Sequence, residues 1–245
     1  MNIQRTISDA TVDISEKGRR QDGSQMSLNR RLYMQLFAFG GVKDPAEYAE
    51  LLREADSPGV LYADLNDPHG IGLLTFSEKP DDLVYKVHKF LRLSKFSSLD
   101  IKPEYTMLGR TYTLGYENDL EEVLIKRPIG RVTDPSLSWA VWYPVRRSGA
   151  FEKLSSDDQR TILMEHGGIG RAYGNADLAY DIRLACFGLD KNDNDFVIGL
   201  LGHELHPLSA IVERMRKTKQ TSQYLTNLGP FFVGKVIWQS SKEVD

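Results

Sequence analysis

The chain has 245 residues, 41% of them hydrophobic, 10% aromatic and 27% charged, the composition of a globular protein long enough to bury a real core. A formal net charge of -3 leaves no basic excess to attract nucleic acid, and no run approaches the roughly 18 apolar residues of a membrane helix. Cys186 is the single cysteine, so an internal disulfide is excluded and a reducing, cytoplasmic setting is expected.

Residues 1–28 are polar, show no apolar stretch of the kind that opens a secretory signal, and are expected to be mobile. From residue 29 the periodicity predicts a strand at "RLYMQLFAFG" and a helix at "DPAEYAELLREA", with Asp44 and Pro45 in cap and first-turn positions. Strands at "GVLYADL" and "GIGLLTFS", a helix at "KPDDLVYKVHKFLRLS" and a long strand at "EYTMLGRTYTLGYE" complete a β-α-β-β-α-β order over 29–118. A basic, proline-containing connection spans 119–136.

The second half, 137–240, repeats that order. It has a strand at "SWAVWYPV", a helix at "SSDDQRTILMEHGGIGRAY" opened by Ser155 or Ser156, and strands at "ADLAYDIRLACFG" and "DFVIGLLG" around the turn "LDKNDND". A helix at "PLSAIVERMRKTKQTSQY" and a strand at "GPFFVGKVIW" close it. Each ferredoxin-like copy leaves one open sheet face to cover, which predicts an α+β fold: one barrel made of the two repeats, with helices outside.

The stretch "EHGGIGRAYG" sets four glycines around His166. It fails as a dinucleotide loop, because Arg171, Ala172 and Tyr173 follow Gly168-Ile169-Gly170 where a third glycine is needed, and no G-K-[ST] follows for a P-loop. On a helix from Ser155, Ile162, His166, Ile169 and Tyr173 share one face, so His166 points with the core-facing residues. Each glycine there costs about 1 kcal/mol relative to alanine. Two readings stand at this point: a core histidine with glycines that end the helix, or glycines that clear space for a flat ligand.

Other motifs carry less. "DKNDND" lacks the glycine and the glutamate of a calcium loop and reads as a polar turn, and the spacing of His203 and His206 does not fit a zinc helix. "WYPVRR" runs aromatics into Arg146 and Arg147, whose forks suit carboxylates or phosphates, and Lys126, Arg127 and Arg131 add positive charge upstream.

The series "YPVRR", "FEKL", "RTILMEHGGIGRAY", "GLDKNDNDF", "ERMRKT…SQY" and "GPFFVGK" resembles the chlorite dismutase superfamily, which includes chlorite dismutases and coproheme decarboxylases. The resemblance runs from about Arg31 to Trp238 and is specific in the second half. It implies a dimeric α+β barrel within one chain, assembly into homopentamers, and heme b or coproheme held in the C-terminal half. His166 falls on the family's iron ligand, with Gly167 and Gly170 as clearance for the porphyrin. Tyr143 matches the redox tyrosine of the decarboxylases, and Arg147 replaces their lysine. Arg127 and Arg131 are candidates for the propionates.

Three further positions depart from the pattern. Asp181 takes the distal place of arginine or glutamine, with Arg183 two residues on. Phe151 replaces a tryptophan that packs by the heme. Lys219, or Gln220 after a register slip, stands where a glutamate accepts the imidazole N–H. The implied function is a heme-dependent oxidoreductase, most specifically peroxide-dependent coproheme decarboxylation in heme biosynthesis. The alternatives are a chlorite dismutase or peroxidase using hydrogen peroxide or chlorite, and a heme carrier or sensor without catalysis or a member that has lost heme.

Overall fold

The computed structural model describes residues 12–55 and 58–241. A hairpin of β1 (Glu16–Arg19) and β2 (Gln25–Leu28) comes first, followed by β3 (Tyr33–Gly40) and helix α1 (Pro45–Glu54). Then come β4 (Gly59–Asp64), β5 (Ile71–Ser77), helix α2 (80–93, with a π turn at Leu83–Val87), β6 (Asp100–Ile101) and β7 (Met107–Thr111). Helix α3 (122–132) leads into the second half: β8 (Trp139–Arg147), α4 (Gly149–Glu152), α5 (Ser156–Asn175), β9 (Tyr180–Ala185) and β10 (Phe196–Gly202). Helices α6 (Leu205–Arg216) and α7 (Lys219–Tyr224), then β11 (Leu225–Leu228) and β12 (Phe232–Gln239), end the fold.

Strands pair in the order β7-β3-β5-β4 in the first half and β12-β8-β10-β9 in the second, the same order in each repeat. The β4–β12 and β7–β9 pairings join the halves at both edges, so eight antiparallel strands close on themselves and leave no open edge. The expected barrel of two ferredoxin-like repeats is the observed fold.

Alternation along each strand divides the core into three parts. Met34, Leu36, Leu74, Trp142, Leu184 and Phe232 fill the barrel. Gly199 makes room there: a Cβ on it would sit 2.5 Å from the Trp142 indole. Outside the first half, α1 and α2 seal the sheet with Tyr48, Leu52, Leu83 and Val87 against Phe37 and Phe39. Outside the second half, α6 supplies buried Leu208 and Ile211, whereas the 20 residues of α5 include one buried residue, Ile162.

Several expected boundaries differ. The strand at 104–117 is confined to β7, because the chain turns after it: Gly115 has φ +91 and the Glu117 carboxylate accepts the N–H groups of Leu114, Gly115 and Tyr116. The connection 119–136 is mostly α3, whose buried Leu124, Ile125, Ile129 and Val132 belong to the barrel core. The last predicted helix is two, since Thr218 leaves helical geometry at φ -71, ψ 154 and caps α7.

Of the polar N-terminal stretch, residues 1–11 lie outside the described residues, and the remainder carries the β1–β2 hairpin. Half-buried Glu16 holds it down, accepting from Arg110 Nη1 at 3.0 Å and from the Thr113 N–H at 2.9 Å. No helix among the described residues is long and apolar enough to cross a membrane.

Candidate functional site

The second half's outer face is set by strand register. Arg183, Ile198 and Tyr143 lie in one row across β9, β10 and β8; Asp181, Leu200 and Val141 lie in the next, and Ala185, Phe196 and Val145 flank them. Side chains in such rows share a face, here the one that α5 and α6 cover. His166 comes to it from α5, and it experiences the charges of Asp181, Arg147 and Arg183.

Helix α5 begins as its sequence predicts, with Ser155 Oγ accepting from the Asp158 N–H at 3.2 Å. It runs unbroken through Gly167, Gly168, Gly170 and Gly174 to Asn175, so the glycines do not terminate it. Close protein packing does not require them either. A Cβ on Gly167 would meet nothing nearer than Arg171 Nη1 at 3.6 Å, and one on Gly170 nothing nearer than Met215 Cε at 3.8 Å.

His166 Nδ1 lies 3.3 Å from Thr218 Oγ1, and its Nε2 has no hydrogen-bond partner among the described residues. Burial is the largest influence on the ring and holds its pKa below the ordinary value. Neither Lys219 nor Gln220 meets the imidazole. The Lys219 backbone N–H donates to Glu165 Oε2 at 3.0 Å, and the buried Gln220 Oε1 has no partner. The chain bends at Thr218, which brings that residue to the ring instead.

Tyr143 is 5% exposed, stacks on Phe231 with ring centres 4.7 Å apart, and has no hydrogen bond to its hydroxyl among the described residues. Burial, aided by the Asp181 charge, pushes its phenol well above the usual range, so it stays protonated. Arg147 is clamped between rings, its guanidinium carbon 4.4 Å from the centre of Phe151 and 4.9 Å from that of Phe196. Its Nε is buried without a partner, and the carboxylate facing its fork, Glu152, stands 3.8 Å away. Phe151 is 1% exposed, with one face under Arg147 and an edge-on contact with Tyr224, so it serves as a platform for the guanidinium.

Asp181 is not an isolated anion. Arg183 Nε lies 3.1 Å from its carboxylate and Arg131 Nη1 3.8 Å, while Arg131 also donates to the Asp181 carbonyl and covers the Tyr180 ring. Two guanidiniums against one carboxylate leave this edge net positive. Arg127 remains at the exposed surface, 3.4 Å from Glu122, and is not brought to the face.

Tyr112, just past β7, is a site residue that the sequence pattern does not mark. Its ring stands 5.7 Å from Phe196, and burial raises its phenol pKa while Arg183 and Arg147 oppose the rise. As one aromatic inside a predicted strand, it gives no signal that it crosses to the other repeat. Thr218 gives none either, because its role as the N-cap of α7 shows only once the helix is seen to break there.

The first histidine of "HELH" does other work. His203 bonds Asp177 Oδ1 and the Ser136 carbonyl, each at 3.0 Å. Among the described residues, no group of three or more His, Cys, Asp or Glu side chains could hold a metal ion. A cleft of about 1000 Å3, between α1, α2 and the end of β12, lies against the first half and includes none of the residues at the second-half face.

The family model of chlorite dismutase matches residues 61–237, most of the chain and all of the face just described. The chain belongs to the chlorite dismutase family. No curated protein matches its sequence. Among solved structures, it is similar to a heme-binding protein from Thermus thermophilus, with TM-score 0.64 and 19% identity over 84% of this chain and 93% of that one. It is also similar to a tryptophan-to-phenylalanine variant of chlorite dismutase from Candidatus Nitrospira defluvii in complex with cyanide. There the TM-score is 0.65 and the identity 15%, over 85% of this chain and 92% of that one. At these identities the likeness is one of fold, and the family's functional residues must be argued from the side chains present.

Proposed function

We propose that this chain binds an iron porphyrin, heme b or coproheme, between α5 and the second-half sheet, and acts on it as an oxidoreductase. Family membership supports the reading, and the observation that carries it is the pairing of His166 with the glycines beside it. A neutral imidazole with an unengaged Nε2 is a good iron ligand. The glycines beside it leave room that close protein packing does not require. The orphaned Arg147 Nε and the unpartnered Tyr143 hydroxyl also suit a ligand that carries carboxylates.

In this proposal His166 Nε2 holds the iron, and Arg147 with Arg131 offers donors to propionates. Bound there, the porphyrin iron supplies redox chemistry with peroxide. Tyr143 keeps its proton on Oη beside the Phe231 ring, available to a reacting carboxylate. Arg147, stacked and always charged, orients that carboxylate and does not give up a proton. These roles favour peroxide-dependent decarboxylation of coproheme propionates over chlorite dismutation, because Arg183 is tied to Asp181. A heme carrier or sensor is the second reading, favoured by the neutral hydroxyl, in place of a carboxylate, behind His166. A cytoplasmic homopentamer completes the proposal.

Mass analysis of coproheme after peroxide addition separates the readings. Loss of carboxyl mass with wild type, reduced at least tenfold in rate by Tyr143→Phe, is expected. Tight coproheme binding with no mass change would move the protein to the carrier class.

A further inference from the structure

The contacts behind His166 determine where its ring proton sits. Thr218 Oγ1 lies 2.7 Å from the Met215 carbonyl and 3.3 Å from His166 Nδ1. A carbonyl only accepts, so the single hydroxyl proton is committed to Met215 at the shorter distance. Toward the imidazole the oxygen then presents a lone pair, and Nδ1 must be the donor. The Thr221 N–H, 3.4 Å away, donates to the same oxygen. Thr218 is 2% exposed, which shuts out competing water, and the Glu165 carboxylate fixes α7 against α5 by holding the next N–H in the chain.

We infer that Thr218 is the positioning residue that locks His166 as the Nδ1–H tautomer, through a neutral acceptor relayed to the Met215 carbonyl. Nε2 is thereby left with a lone pair and no proton. A hydroxyl draws less on the Nδ1 proton than a carboxylate would, so the ring stays a neutral imidazole without imidazolate character. The part that concerns iron rests on the proposed porphyrin site; the tautomer does not.

The test uses the ligand-free full chain at pH 8, with ring-nitrogen NMR of His166 in wild type, Thr218→Ser and Thr218→Gly. Glycine removes the hydroxyl yet is itself a well-tolerated helix cap, so the variant is expected to fold. Wild type and Thr218→Ser should show the Nδ1–H form, and Thr218→Gly should lose most of it in favour of Nε2–H. An Nε2–H wild type, or a glycine variant that keeps the Nδ1–H form, would overturn the inference. In porphyrin-loaded protein, Thr218→Asp should lower the iron reduction potential relative to wild type, and an unchanged potential would contradict the neutral-ligand part. If His166→Ala bound porphyrin as well as wild type, the proposed function would fail while the tautomer result stood.

Discussion

At the scale of single residues, two histidines give opposite signatures against pH. The Asp177 carboxylate, then the Ser136 carbonyl, hold the His203 imidazolium above its ordinary 6.5. Its contribution to stability is complete below about pH 6.5 and is lost as pH rises through the raised folded value. Burial lowers the His166 value, so its cost appears as pH falls below 6.5, when the unfolded chain takes up the proton. Urea unfolding from pH 5 to 9 should therefore show His203→Gln losing less stability than wild type above pH 6.5. Parallel curves in that range would mean the Asp177 contact contributes nothing. The sequence placed His166 on the inner face of its helix, but it could not reveal Thr218 as the ring's partner. That contact depends on a bend between α6 and α7, whereas periodicity alone predicts one continuous helix.

Among elements, the two outer layers differ in how tightly they are packed. Helix α1 buries three of its 10 residues, and aromatic rings fill the space beneath, with Tyr48 and Phe96 centres 4.9 Å apart. Helix α5 buries one residue in 20 and carries four glycines, an arrangement that the proposed ligand at its inner face would repay. Gly167→Ala or Gly170→Ala should stabilise the ligand-free protein by about 1 kcal/mol, a rise of a few degrees in Tm, since a methyl has room at either position. The same substitutions should weaken porphyrin binding. A loss of stability without porphyrin would show that the glycines serve packing within the chain. The spans of α1, β4, β5 and β10 were legible because their periodicity is clean and their ends carry caps or turns. Helix α3 was missed because Pro128 and the surrounding charges read as a connection, while its buried face appears only once the barrel is closed.

For the whole molecule, the doubled strand order was readable from the succession of elements, and closure follows because each repeat would otherwise leave exposed edges. Closure also brings Tyr112 from one repeat to the face of the other and sets Arg131 against Asp181, contacts that no local pattern announces. The proposed site thus combines a ligand visible in the sequence with a surround that depends on tertiary structure. The claim at its centre is that His166 binds the iron of a porphyrin. The most direct measurement is a titration of coproheme and heme b into wild type and His166→Ala, followed by the Soret band. The prediction is a saturable Soret shift with wild type that His166→Ala abolishes or moves to a different wavelength. Identical spectra and affinities for the two proteins would contradict it.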